Sequence, residues 1–447
     1  MGSARMDIID VAEKMLAKYS LCNSCLGRQF AFLGHGMDNE DRGRMIKTIL
    51  TMRAHMMVLE GEKRGISLLK ILAVNGSFPM ARETLQKLKR KITSESQTCF
   101  LCENNLQKLD SYVEKAARLL GDYEFDTLLV GIKLPPEVEE REDEFRARFG
   151  VKYGENLRNE FSRLLGKKIC DTTGKIVDFA NPHVVIIVNP FSGDVKIQVK
   201  SLYIMGRYRK LVRGIPQSRW ICSECRGVGC QKCGGTGRIY QESVEELIGK
   251  PILDATHGSD FAFHGAGRED VDARMLGRGR PFIIQIKKPR KRSIDLSEIE
   301  KAINTSANGK IEVRNLKFVN RNMVKRIKTA ESAPKTYKVI VKFDREITDE
   351  EIDKLSSSLS ETIVHQQTPL RVIRRRSDKV REKKIYETRI KRISPNTILM
   401  RIRCQGGLYV KELVTGDNGR TRPSVSEIIG ARAEPIDLDV MEVSYEG

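Results

Sequence analysis

The stretch Phe263-His-Gly-Ala-Gly-Arg-Glu-Asp-Val-Asp-Ala-Arg-Met-Leu-Gly-Arg-Gly-Arg-Pro-Phe282 gathers three acids and four arginines among four glycines. Glycines permit tight turns and close approach of a ligand, and arginine forks match phosphate oxygens. Asp270 and Asp272 place two carboxylates in the same neighbourhood, where one could act as a nucleophile or a base. A solvated turn before the extended Pro281–Ile286 would have a similar composition. The chemistry therefore has to be argued from the rest of the chain.

A second set of reactive side chains is the cysteines. Eight of the ten fall in four Cys-x-x-Cys pairs: Cys22 with Cys25, Cys99 with Cys102, Cys222 with Cys225, and Cys230 with Cys233. Two such pairs make one tetrahedral four-thiolate zinc site. The pairs at Cys222–Cys233 are separated by only four residues and sit among Gly227, Gly229, Gly234, Gly235 and Gly237, which makes them the stronger metal signal. Cys22–Cys25 and Cys99–Cys102 lie far apart in sequence and could also be separate thiol pairs. Both sets suit structural zinc in a reducing compartment better than a disulfide framework. Cys170 and Cys404 are left over, and the expectation is that both are buried.

The positions that must carry these groups belong to a large, basic, globular chain. Its 447 residues include 79 Lys and Arg against 59 acids, a formal charge of +20, with 40% hydrophobic content. The length favours several domains, and the charge favours a polyanionic partner, with nucleic acid the default. Basic residues cluster at Tyr203–Arg213, where Tyr203, Arg207, Tyr208, Arg209, Lys210 and Arg213 mix aromatic and cationic groups. They cluster again at Lys287–Arg292 and at Arg371–Lys384. The longest apolar run, Val184–Val188, is too short to span a bilayer, and the first residues lack an apolar signal core. The expectation is a cytoplasmic, monomeric protein with no membrane partner.

Periodicity predicts helices over 7–20, 41–60, 80–92, 105–120 and 155–166, and a strand at 126–133. A hairpin joins 183–189 to 194–200 through Pro190-Phe-Ser-Gly193, and further strands follow at 310–314, 316–319 and 335–343. The fold class is α+β.

The focal stretch, from Gly267 to Phe282, resembles the catalytic motif of the archaeal and eukaryotic tRNA pseudouridine synthase family called "Pus ten". The nucleophilic aspartate of that motif falls at Asp270. Lys335-Thr-Tyr337 resembles the family's second active-site motif, and Gln405-Gly-Gly-Leu-Tyr-Val-Lys411 the third. Asp178–Val188 with Ser201–Lys210 resembles a THUMP domain, a fold that grips tRNA, and Cys25–Phe30 resembles the family's N-terminal start.

The resemblance implies a residue set. Asp270, Tyr337 and Lys411 would be catalytic, with Lys411 pairing the aspartate and Tyr337 stacking on uracil. Arg268, Val410 and Leu438 would contact substrate beside Tyr337, and Arg207, Tyr208, Arg209 and Lys210 would bind tRNA. Asp272 is read as structural.

It also implies an organisation. A helical zinc-binding part would cover 1–120, a THUMP-like RNA-binding part 121–214, a four-cysteine zinc linker 215–240, and a mixed-sheet synthase catalytic domain 241–447. The implied activity is isomerisation of uridine to pseudouridine at T-loop positions 54 and 55 of tRNA, with structural zinc and no organic cofactor. The alternative is a non-catalytic zinc-containing tRNA-binding protein. A methyltransferase is disfavoured because Asp270 stands where the third glycine of a Gly-x-Gly-x-x-Gly loop belongs.

Overall fold

The computed structural model describes residues 7–92, 95, 97–329, 332–374 and 376–444. It divides into two compact units, residues 1–199 and 200–447.

The first unit opens with helices Ile8–Lys18, Asn39–Leu59, Pro79–Lys87 and Leu109–Leu120, close to the segments whose apolar spacing predicts them, and with a further helix, Lys63–Val74, that the sequence reading does not anticipate. Four strands follow: β1 (Thr127–Ile132), β2 (Ile176–Val177), β3 (Val184–Asn189) and β4 (Asp194–Val199). They align as β2-β1-β3-β4, with β1 parallel to both neighbours and β3 antiparallel to β4 across the Pro190–Gly193 turn. Alternate residues of β1 and β3 are buried, as a one-sided sheet requires. Lys47, fully buried, donates to the carbonyls of Leu21 and Gly76 and to Asn23 Oδ1, at 2.7–2.9 Å. It thereby fixes the turn that carries Cys22 and Cys25.

The second unit is built on one mixed sheet. Its strands are β5 (Leu202–Lys210), β6 (Asp260–Gly265), β7 (Arg274–Lys287), β8 (Ile311–Val319), β9 (Lys335–Phe343), β10 (Ile363–Gln367), β11 (Val380–Ser394), β12 (Thr397–Cys404), β13 (Thr421–Arg422) and β14 (Ala433–Val443). The order is β13-β10-β11-β12-β9-β14-β7-β5-β8, with β6 also paired to β7. The parallel pairing of β14 with β7, Asp439 opposite Arg274 and Val440 opposite Met275, joins two halves that each bury an apolar cluster beneath helices.

Two sequence expectations change here. β5 is an inner strand of this second sheet, between β7 and β8, so residues 202–210 do not close the THUMP-like part expected to run to 214. The glycines of Gly277-Arg-Gly279 also have a different use. Gly277 has φ of +56°, and a Cβ there would lie 1.9 Å from the carbonyl oxygen of Met441 on β14. The close approach is by a neighbouring strand, not by a ligand.

Candidate active site

The loop between β6 and β7 carries Arg268, Glu269, Asp270, Val271 and Asp272 into a cavity of about 960 Å³. The loop is held from below by buried polar groups. Arg280 pairs with Glu269 at 2.8 Å, both fully buried, and donates from Nη1 to the Ala266 carbonyl. The Tyr208 hydroxyl donates to Glu269, and Gln217 Nε2 donates to the Tyr208 oxygen and to the Gly267 carbonyl. Lys210 Nζ donates to the carbonyls of Asp270 (3.0 Å), Val271 (3.2 Å) and Ile215 (2.8 Å). Burial pushes the Tyr208 phenol up, with the Glu269 charge adding to it, and pushes the Lys210 ammonium down. A network satisfied on every side fixes a unique backbone, which is what a catalytic loop needs.

These contacts remove Tyr208 and Lys210 from the tRNA-binding assignment of residues 207–210 and give Arg207 and Arg209 protein partners. Tyr208 and Lys210 have no exposed surface. Arg207 donates to the carbonyls of Arg278 and Val443, and Arg209 pairs with Glu312 at 2.7 Å. None of the four lines the cavity. Strand alternation of aromatic and basic residues reads as a phosphate-binding edge until the pairing partners on both sides are known.

The other expected residues converge. Asp270, Tyr337, Lys411, Arg268, Val410 and Leu438 all line the cavity. Tyr337 comes from β9, Leu438 from β14, and Val410 and Lys411 from the start of the helix Val410–Thr415. Val410 and Leu438 are 4% and 8% exposed, so they offer a flat apolar wall rather than loose side chains. Burial holds the Tyr337 phenol above its ordinary value, which keeps it a neutral hydroxyl.

The charge pairing is more elaborate than a single aspartate–lysine contact. Lys411 Nζ lies 3.6 Å from Asp270 and 2.6 Å from Asp272. Burial alone would raise the Asp272 carboxyl, but the Lys411 hydrogen bond and charge, together with Arg371, hold it below the usual value. Asp270 is closest to Arg371, with Nη2 3.2 Å from Oδ2 and Nη1 3.4 Å from Oδ1. Arg371 is braced in turn by Glu412, 7% exposed, at 2.6 Å, and lies over the Tyr409 ring at 5.8 Å. Sequence reading placed Arg371 in a basic arm and gave it no role at the aspartate. Among the described residues, six cations line the cavity, Arg268, Lys335, Arg371, Arg374, Arg376 and Lys411, against the three carboxylates of Glu269, Asp270 and Asp272. Such a site attracts a polyanion.

Each four-cysteine group can hold a metal ion. The sulfurs of each lie within 4.8 Å of one another. Cys22 and Cys102 are 3.7 Å apart, and the pairs within Cys222–Cys233 are 3.7–3.8 Å apart. Tetrahedral thiolates bound at about 2.3 Å would be separated by about 3.8 Å, so the geometry fits. In the second group, backbone N–H groups of Gly229, Cys230 and Gly237 donate to the sulfurs of Cys225 and Cys233. Hydrogen bonds from the Cys230 and Gly237 backbone hold the Cys233 thiol at about 6, so it supplies a thiolate readily.

Comparison with known proteins bears on the whole chain. A family profile described as "Pus10, C-terminal" matches residues 203–444, and one described as "Pus10 THUMP domain, archaeal" matches 112–189. A "tRNA pseudouridine synthase Pus10" of Methanothrix thermoacetophila is 41% identical over 98% of this chain and 94% of its own length. The chain belongs to the Pus10 family. A Pus10 of Methanocaldococcus jannaschii is 41% identical over 98% of this chain and 94% of the relative. One of Methanopyrus kandleri is 38% identical over 98% and 99%. The Pus10 THUMP profile ends at the last residue of β3, and the Pus10 C-terminal profile begins at the second residue of β5.

Proposed function

We propose that this chain isomerises uridine to pseudouridine in tRNA, at T-loop positions 54 and 55, with Asp270 as the essential carboxylate. The observation that carries the proposal is the cavity itself. An aspartate sits on a loop held by buried hydrogen bonds, between two cations and beside a neutral tyrosine and an apolar wall. The reaction breaks the bond from C1′ to N1 of uracil and forms one from C1′ to C5, with the C5 proton lost and N1 gaining one. Atoms and electrons balance without a redox group or donor, so the site needs only positioning, charge and a proton route.

Each residue has a part in that account. A target uridine has to leave the RNA stack to reach Asp270, and the cations lining the cavity receive the phosphates on either side of it. Val410 and Leu438 pack on the uracil, and Tyr337 stacks on it while offering its hydroxyl as a proton relay. Arg371 and Lys411 aim the Asp270 carboxylate. The two four-cysteine groups hold zinc as structural ions, and metal analysis of purified protein is expected to give two zinc ions per chain, falling to one in Cys222→Ser with Cys225→Ser.

The deciding experiment is pseudouridine formation in an unmodified tRNA transcript without added cofactor, beside a binding curve. Asp270→Asn keeps the shape and removes the charge, so turnover is expected to fall by ~10³ or more with little change in binding. Asp272→Asn is the control and should retain most activity. An active Asp270→Asn paired with an inactive Asp272→Asn would move the assignment by two residues. Two active variants would end it.

A further inference from the structure

The second four-cysteine knuckle does more than bridge two segments of chain, because the residues on either side of it reach the catalytic cavity. Trp220 precedes Cys222 and Tyr240 follows the last cysteine by seven positions, yet both line the cavity with Asp270. The knuckle brings them together. Ile221 and Arg238 form an antiparallel bridge, the Cys222 N–H donates to the Gly237 carbonyl at 2.8 Å, and the Ile239 N–H donates to the Trp220 carbonyl at 3.0 Å. A Cβ at Gly237 would lie 2.3 Å from the Gly227 carbonyl oxygen, so the two turns of the knuckle touch backbone to backbone. With the thiolates tied to one ion, the entering and leaving strands are fixed side by side.

The result is an aromatic pair in an edge-to-face arrangement, ring centroids 5.4 Å apart and planes at 77°. Neither ring belongs to the buried apolar clusters of the second unit, and both are half-buried. The fold does not use them as core. Around them the cavity wall supplies cations for phosphate, and the missing element for single-stranded RNA is a flat aromatic surface. A base beside a nucleotide that has swung out loses a stacking neighbour, and a protein ring can replace it.

We propose that Trp220 and Tyr240 form a stacking platform for an unpaired nucleobase of the RNA, held at the cavity wall by the Cys222–Cys233 knuckle. The proposal rests on the reading of the cavity as the site where an RNA uridine is received, and it adds a second base-binding position to that site. Its specificity is for an unstacked base rather than a particular sequence, since every base has a face to stack. The four-thiolate centre then acts on substrate binding through these rings, without touching RNA itself.

The chain has one tryptophan, so its emission reports on this position alone. Full-length, zinc-loaded protein is titrated with a T-arm stem-loop transcript and, separately, with a blunt duplex of the same stem. The stem-loop is expected to change Trp220 emission and the duplex to leave it unchanged. Trp220→Ala should weaken stem-loop binding and raise KM about ten-fold, the scale of one lost base stack. Tyr240→Ala, which keeps the fluorophore, should lessen the emission change and weaken binding in the same sense. Trp220→Phe should stay within about two-fold of the wild type, because an aromatic face remains.

An unchanged emission at saturation, or Trp220→Ala binding within two-fold, overturns the platform. So does equal weakening of stem-loop and duplex, which would mean a general effect on the surface. Failure of the functional reading looks different: the stem-loop changes the emission, yet its uridines are not isomerised.

Discussion

Arg371 is the residue whose contribution is least apparent from its place in the chain and most apparent from its contacts. Its guanidinium spans two carboxylates, Asp270 at 3.2 Å and the nearly buried Glu412 at 2.6 Å, a geometry that a planar fork can satisfy and a point charge cannot. Arg371→Ala would leave Asp270 with Lys411 at 3.6 Å, and Lys411 is already engaged at 2.6 Å by Asp272. We expect kcat for pseudouridine formation to fall by about 10², the scale on which a small misplacement of a catalytic group acts, with a smaller change in KM. Arg371→Lys should recover little of it. A kcat within two-fold of the wild type for Arg371→Ala would remove Arg371 from the site. That Asp270, Tyr337 and Lys411 share one cavity was legible because each lies in a short pattern with its own neighbours. Arg371 was not, because its partner lies 101 positions away and its surroundings are uniformly basic. Its loop is set by the turn after β10, and nothing in a run of arginines says which one turns inward.

Single elements show the same division between what patterns fix and what pairing fixes. The helices Ile8–Lys18, Asn39–Leu59 and Leu109–Leu120 and the strands β1, β3, β4 and β9 follow from apolar periodicity within a few residues, whereas the helix Lys63–Val74 is not expected, the helix expected at 155–166 extends to Thr173, and the two pieces expected at 310–314 and 316–319 are one strand, β8. β5 was found as a strand but given to the wrong unit, since alternation says that a strand exists and not which sheet receives it. The glycines of β7 were likewise seen but misread. Gly277→Ala would put a methyl group 1.9 Å from the Met441 carbonyl oxygen at a φ of +56°. Strain and overlap together should cost about 3 kcal/mol or more. Gly309 supplies the control, with φ of +74° and nothing within 4 Å of an added Cβ, so Gly309→Ala should cost only about 1 kcal/mol. Urea midpoints of the two variants test this, and equal midpoints would show that β7 and β14 separate more easily than their packing implies.

At the scale of the whole chain, the position of β5 decides where the protein can be cut. The sequence suggested a junction at 214, ahead of the cysteine knuckle, which assigns residues 202–210 to the RNA-gripping part. The structure puts these residues between β7 and β8, with Tyr208 and Lys210 fully buried under the Asp270 loop. A fragment of residues 200–447 therefore keeps the complete ten-stranded sheet, whereas one of residues 215–447 loses an inner strand, two pairing partners and the three anchors Tyr208, Lys210 and Arg213. We expect the longer fragment to unfold cooperatively on heating and the shorter one to be aggregated or molten, measured by near-UV circular dichroism and thermal melts. The longer fragment should also bind tRNA more weakly than the full chain and with a shallower salt dependence, since it lacks the THUMP-matched residues 112–189 and whatever phosphate contacts they make. Equal affinity and equal salt slope would assign all of the tRNA binding to the second unit. A well-folded 215–447 fragment would show that the sheet closes without β5.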